Sequence, residues 1–469
     1  MKFTLEELRR TTGASIIRKG TYLLFEGVAI DSRLAHRGQL FVALRGERTD
    51  GHFFIEDGFS RGAYGALIEE NTVPGKVRDR TLLQVEDTVQ GLKNIGQRAS
   101  QRFQGKKIAI TGTVGKTTSK HFLRALLESA FATEMTPSSF NTVIGVSSAL
   151  ANFTETNQFA IVEAGISQRG EMATLAEIIQ PDTVIFTAFG EGHLEGLGSV
   201  AQVIEEKCQL VTPKTRRIYF PGDWKARLPV GSWKESEREC FSFGTRRDDD
   251  LRISHFSFTL PQMVTQFSVE WDHRLFSWRA PILFPEVLIS FLPAFHLALE
   301  WGIPQETIQE VLSSWKMPPG RGNTFSPPGG TVIDDSYNAN PVSFRKALQL
   351  LKFLAREGLY TVLVAGDMLE LGDFTERAHR ELLTEVLAPP SLGQVVLLGS
   401  CFAEVAQRYF PQEVRAGRLS IFSSHQSIQK FLVETLSSRS HWVVLFKGSR
   451  AMTMEKAIPE EWRQEDVAQ

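Results

Sequence analysis

The sequence predicts an α/β protein of three domains, over residues 1–104, 105–315 and 316–469. Three observations predict it. The chain has 469 residues, more than one hydrophobic core can serve. Short apolar runs that end in glycine or polar residues, KIAITG, FAIVEAG and DTVIFTAFG, alternate with helical stretches, which is the pattern of a parallel sheet. After the Pro/Gly-rich linker KMPPGRGNTFSPPGG comes a second such set, TVIDDS, YTVLVAGD, QVVLLGS and WVVLFKGS. That set predicts a second doubly wound, Rossmann-like unit, in which ligands gather at the carboxyl ends of the strands.

Taken in chain order, residues 1–104 mix short strands with turns and end in the helix-like stretch VQGLKNIGQRASQRF. The central parallel sheet starts at Lys106. From about Cys240 to Leu283 the texture changes, and ISHFSFT and TQFSVEW alternate as half-buried antiparallel strands do. The helix after VIDDSYNAN opens on Pro341, a residue pre-set for the first helical turn.

Bulk composition narrows the class. A hydrophobic fraction of 42% and a charged fraction of 23% fit neither a disordered nor a membrane chain. A net charge of -2 argues against a dedicated nucleic-acid surface. Cys208, Cys240 and Cys401 lie far apart and make neither a metal-ligand spacing nor a disulfide framework. The start, MKFTLEELRRTTG, has no apolar signal core, and no apolar run is long enough to cross a bilayer. A cytoplasmic enzyme without membrane insertion is the expectation.

The sharpest motif is TGTVGKTTSKHFLRALL, which follows a strand and opens a helix. Gly112 and Gly115 let the backbone turn tightly, so that N–H groups point at phosphate oxygens. The helix N-terminus adds favourable potential for an anion. Lys116 is placed to reach the β- and γ-phosphates, and the Thr117 hydroxyl to ligate Mg²⁺. A plain glycine turn is the bland alternative, but strand, glycines, GKTT and helix coincide. The commoner phosphate loop has a glycine where Ile110 stands, and this loop is the shorter form.

TGTxGKTT resembles the loop of the Mur ligases and their folylpolyglutamate synthetase relatives. The resemblance implies that Gly112, Thr113, Gly115, Lys116, Thr117 and Thr118 contact ATP. Glu163, at the end of FAIVEAG, suits a magnesium ligand and matches a metal position of the family. His193, in the loop after the next strand, matches another. Lys207 shares a helical face with Val200, Val203, Ile204 and Val211. A snorkelling lysine is the bland reading. In the family a lysine here takes up CO₂ as a carbamate and helps set a second Mg²⁺, although Cys208 stands where glycine is usual. Asn141, in TPSSFNTVIGV, matches an asparagine near the metal and γ-phosphate, and a turn role reads nearly as well.

Farther along, Arg321 in the linker matches a phosphate-contacting arginine, and Asp335 and Asn338 match positions near the nucleotide. Asn340 lies in the same loop. Asp367, Met368, Glu370 and His379 fall in GDMLELGDFTERAH, and Lys447, Ser449 and Arg450 in KGSRAMTME, and the resemblance implies substrate contacts for Asp367, Lys447, Ser449 and Arg450. DDSYNANP, GDMLELG and KGSRxMxME resemble the branch that adds D-alanyl-D-alanine to UDP-N-acetylmuramoyl-tripeptide. The segment DNPR, carried by the diaminopimelate-adding branch, is absent from the sequence. In the N-terminal domain, Ser32 and Arg33, then Asp50, Gly51 and His52, are the matching candidates for the UDP-sugar end, although DSR and DGH also occur in ordinary turns. Ser290 stands where the family has an adenine-contacting asparagine, so the adenine contact is left open.

The resemblance implies a monomeric ligase using ATP and two Mg²⁺ through an acyl phosphate, with Lys116, Lys207, His193 and Asn141 at the reacting centre. Another Mur-type amide ligase is one alternative. A phosphate-loop ATPase or kinase is a second, and it would not need the C-terminal domain. A binding protein that has lost catalysis is a third, and the intact Lys116, Thr117, Glu163, His193 and Lys207 argue against it.

Overall fold

The computed structural model describes all residues except 47–48, 70–78, 138–139, 191–196, 260–263, 390–391 and 464–469. Two compact units divide the chain. One comprises Met1–Gly112, Leu123–Thr187 and Glu205–Ser242, and the other Thr113–Phe122, Ala188–Ile204 and Phe243–Gln469.

Among the described residues, the first unit holds a two-stranded antiparallel ribbon of Lys2–Thr4 and Leu24–Glu26, a five-stranded sheet and the parallel part of a nine-stranded sheet. Towards the N-terminus, Ser15–Arg18 pairs antiparallel with Thr81–Val85, and Gly65–Glu69, Leu40–Val42 and Val28–Ala29 continue in parallel. The helix Thr88–Arg102, capped by the Asp87 carboxylate, closes this part. Next comes the strand Lys106–Thr111, flanked in parallel by Phe159–Glu163 and Thr183–Phe186, with Thr133–Met135 and Arg217–Pro221 outside them. These strands are buried on both faces, which is why they read as unbroken apolar runs. Asn152 joins the two parts: its amide donates to the Val28 carbonyl at 2.9 Å, and its side-chain oxygen accepts from Gln39 at 3.2 Å.

A charged group is also buried here. Lys107 is 1% exposed, and its Nζ donates to Ser100 O at 2.8 Å and Ser100 Oγ at 2.5 Å. Desolvation, reinforced by the Lys214 ammonium, pulls its pKa down to about 7.

The second unit contains the antiparallel strands expected from the alternating sequence: Leu251–Thr259, Val264–Trp271 and Arg274–Ala280. Asp272 and His273, both with positive φ, turn the chain between the last two. The helix Pro285–Glu300 packs beside the start of the phosphate-loop helix, with Phe122 and Phe291 stacked at 3.8 Å.

The C-terminal sheet has the order Asn323–Phe325, Gly330–Asp334, Trp442–Lys447, Tyr360–Gly366, Gln394–Leu398 and Leu419–Phe422. All pairs are parallel except the first. The four apolar runs predicted to be strands are its central four. Helices cover it on both sides, giving two buried apolar layers, one around Phe344, Leu351 and Phe402 and the other around Ile428, Trp442 and Met454. The whole is the mixed α/β architecture, rich in parallel sheet, that the sequence predicts.

Candidate active site

Lys106–Thr111 delivers the chain into the phosphate loop, and the helix Lys116–Glu128 begins at Lys116 itself. Gly115 has φ +87, in the left-handed region that glycine occupies without steric cost, and its carbonyl accepts the first helical bond from Ser119 N at 2.9 Å. Thr113 is tied to the segment after the neighbouring strand: its N–H donates to Ala188 O at 2.8 Å and its hydroxyl to Gly190 O at 3.3 Å. Lys116 is half-buried, while Thr117 and Thr118 are buried.

Thr117 is met by the linker arginine. Arg321 Nη2 donates to Thr117 Oγ1 at 3.1 Å. Two glycines make that reach possible. Gly320 (φ +71) and Gly322 (φ +96) flank Arg321 in a tight turn, and Gly322 N donates to Asp334 O at 2.7 Å. The Arg321 guanidinium lies over the Tyr337 ring, 3.9 Å from its centroid.

In the first unit, Asn141 and Glu163 come together. Glu163 ends its strand 2% exposed, and the Asn141 amide donates to its Oε1 at 3.3 Å. A carboxylate so buried needs hydrogen bonds or a cation. Lys207, on the helix Val200–Cys208, is 1% exposed. Burial pushes the neighbouring Cys208 thiol up to about 12, so it stays neutral beside the lysine. His193 lies outside the described residues.

The C-terminal loops are organised around Lys447. Its Nζ donates to Asp335 Oδ2 at 2.6 Å and to Asn338 O at 3.2 Å. Burial pushes the Asp335 carboxyl up, and the Lys447 ammonium opposes that. Asn338 is exposed, and its side-chain oxygen accepts from Ala339 N at 2.8 Å. Ser449 Oγ accepts from Leu369 N at 2.8 Å, fixing the GDMLELG loop against the KGSR loop. Arg450 is exposed and pairs with Glu455 at 3.1 Å.

Several candidates have local structural duties. Asn340 caps the helix Pro341–Arg356 in a capping box with Ser343. The Asp367 carboxylate accepts Cys401 N at 3.0 Å and Phe402 N at 2.9 Å, so it serves the N-terminus of the helix Ser400–Tyr409 rather than facing outward. His379 Nδ1 donates to Thr375 O at 2.7 Å and Nε2 accepts from Met368 N at 3.0 Å, and burial lowers its pKa. Asp367, His379 and Cys401 have metal-like spacing, but the imidazole lone pair is already taken by that backbone N–H.

In the N-terminal part, Ser32 begins a short helical turn capped by Asp31, and Arg33 pairs back to Asp31. His52 Nδ1 donates to Asp50 Oδ1 at 2.6 Å, and Nε2 accepts from Glu69 N at 3.1 Å. A Cβ on Gly51 would come within 2.6 Å of Leu44 O, so glycine is required there. Ser290 lies buried within its helix; its hydroxyl donates to Val287 O at 2.7 Å and its carbonyl accepts from Ser119 Oγ at 3.3 Å.

A phosphate loop at the head of a helix, after a parallel strand, defines a nucleotide-binding α/β protein. Comparison with known proteins narrows the class. The family described as Mur ligase middle domain matches residues 110–275, and the one described as Mur ligase, glutamate ligase domain matches residues 320–450. A UDP-N-acetylmuramoyl-tripeptide--D-alanyl-D-alanine ligase from Treponema pallidum is 30% identical, with 93% of each chain covered. The chain belongs to the Mur ligase family. The crystal structure of MurF from Acinetobacter baumannii superposes with a TM-score of 0.83 at 27% identity, covering 97% of this chain and 98% of that one. MurF ligase from Thermotoga maritima, solved in complex with ADP, gives 0.78 at 25% identity, covering 92% and 96%.

Proposed function

We propose that the protein ligates D-alanyl-D-alanine to UDP-N-acetylmuramoyl-tripeptide, converting ATP to ADP and phosphate. The contact of Arg321 with Thr117 carries the structural side of this reading, because it sets a cation from the linker on the phosphate loop. The substrate identity rests on ligases of that name matching nearly the whole chain. Residues 1–104 are assigned to the UDP-sugar end through Ser32, Arg33, Asp50, Gly51 and His52, residues 105–315 to ATP, and residues 316–469 to the dipeptide through Lys447, Ser449 and Arg450.

In the proposed reaction the tripeptide's terminal carboxylate attacks the γ-phosphorus of ATP. An acyl phosphate forms and ADP leaves. The dipeptide amine then attacks the acyl carbon, loses a proton, and phosphate departs as the amide bond closes. Two anions must meet in the first step. Lys116 and Arg321 offset their repulsion, and the N–H groups of Gly112–Thr118 hold the phosphates. The Thr117 hydroxyl and the buried Glu163 carboxylate, oriented by Asn141, are hard oxygen donors that fit Mg²⁺, with His193 a further candidate. Bound there, Mg²⁺ would neutralise charge on the phosphates. Asp335 and Asn338 are assigned to the nucleotide side.

Carbamylation of Lys207 belongs to the same proposal, supported by the burial of its ammonium. Lys207→Ala should lose most activity and regain part of it with added short carboxylates, and an unimpaired variant contradicts the carbamate. We place the enzyme in the cytoplasm, where ATP is supplied; no helix among the described residues is long and apolar enough to cross a membrane. Phosphorus NMR of the products tests the chemistry. ADP and phosphate should appear one for one with new amide, and AMP with pyrophosphate contradicts the acyl-phosphate route.

A further inference from the structure

We propose that Tyr337 is a positioning residue that holds Arg321 on the phosphate loop and ties it to the Arg450 loop. The inference deepens the function proposed above and rests on it. The ring lies 3.9 Å from the Arg321 guanidinium carbon and 5.8 Å from that of Arg450, both within cation–π reach. Tyr337 is itself anchored, since its N–H donates to Gly320 O at 2.8 Å. A Cβ on Gly320 would sit 3.0 Å from that nitrogen, so the ring and the turn carrying Arg321 are held close together.

The physical need is clear. A free arginine side chain samples many rotamers, and ordering it costs entropy. Arg321 donates to the neutral Thr117 hydroxyl and feels the charge of the Asp335 carboxylate, and the flat ring beneath the guanidinium removes most of the remaining rotamers. Two guanidiniums beside one ring also repel each other, and the electron-rich face offsets that cost. Arg450 leaves the same ring for the loop of Lys447 and Ser449; its backbone N–H donates to Asn338 Oδ1 at 3.4 Å. Tyr337 therefore joins the nucleotide cation to the loop assigned to the dipeptide.

The test is ADP affinity by calorimetry on the full chain, with KM for ATP and for D-alanyl-D-alanine in parallel. Tyr337→Leu should weaken ADP binding and raise KM for ATP by about fivefold to thirtyfold. Tyr337→Phe keeps the ring and should restore both to within about twofold of the parent. In the Tyr337→Leu background Arg321→Gln should add little, because the arginine is no longer placed. Tyr337→Gln serves if the leucine variant fails to fold. Parent-like ADP affinity in Tyr337→Leu, or an equal fold-loss from Arg321→Gln in both backgrounds, overturns the proposal. A parent that binds ADP but shows no dipeptide-dependent turnover sinks the functional reading, while the ADP measurements still decide the role of Tyr337.

Discussion

Replacing Lys447 with methionine keeps the apolar stem and removes the ammonium. The Nζ lies 2.6 Å from Asp335 Oδ2, with side-chain exposures of 2% and 20%. Removing one partner of a buried pair costs about 3–5 kcal/mol, because the other charge is left uncompensated. Asp335 is a fifth exposed, so water recovers part of that, and about 2–3 kcal/mol is the expected loss. Urea unfolding measures it globally, and hydrogen exchange of the amides in Trp442–Lys447 measures it locally. The sign with pH follows from the stranded carboxylate. Burial pushes its folded pKa up, and without Lys447 the main opposing charge is gone, leaving only the weaker influence of Arg321. The deficit is therefore full at neutral pH and shrinks as the pH falls and Asp335 protonates. Asp335→Asn combined with Lys447→Met strands no charge and should recover most of the loss. A Lys447→Met cost below about 0.5 kcal/mol, or a deficit that grows on acidification, refutes the reasoning.

Other outcomes follow from the same structure. Lys107→Met should be more stable than the parent below about pH 7, where the parent carries a buried ammonium. As the pH rises from about 7 towards 10, the unfolded lysine stays protonated and the folded one does not, so the parent should gain up to about 1.4 kcal/mol per unit on the variant; parallel unfolding curves across that window contradict this. Asp367→Asn leaves the helix Ser400–Tyr409 with one acceptor for two N–H groups, and a loss of about 1–2 kcal/mol is expected in thermal unfolding. Lys116→Ala should weaken ADP binding by about tenfold to a hundredfold while leaving the melting midpoint of the free protein near the parent's.

Much of the fold was legible because buried parallel strands need unbroken apolar runs. KIAITG, FAIVEAG and WVVLFKGS could be read directly. The phosphate loop was legible for a similar reason, since Gly115 marks a backbone conformation that other residues resist. What escaped depended on partners far away in sequence. Lys107 looked like the polar start of a strand, and only the helix ending near Ser100 shows that it is buried. Asp367 read as a candidate ligand contact, but its partners Cys401 and Phe402 lie more than thirty residues on. Asn340 read as part of a binding loop, and the following Pro341 was the available hint of a helix cap. Tyr337 stands inside DDSYNANP with nothing local to mark it, because its role needs the ring set against Arg321 from the linker.

The most direct test is ADP release by the purified enzyme with ATP, Mg²⁺ and UDP-N-acetylmuramoyl-tripeptide, with and without D-alanyl-D-alanine. Sustained ADP release that depends on the dipeptide, matched by formation of the pentapeptide product, is the predicted result. ADP release at the same rate without the dipeptide, or with it but with no new amide, contradicts the assignment.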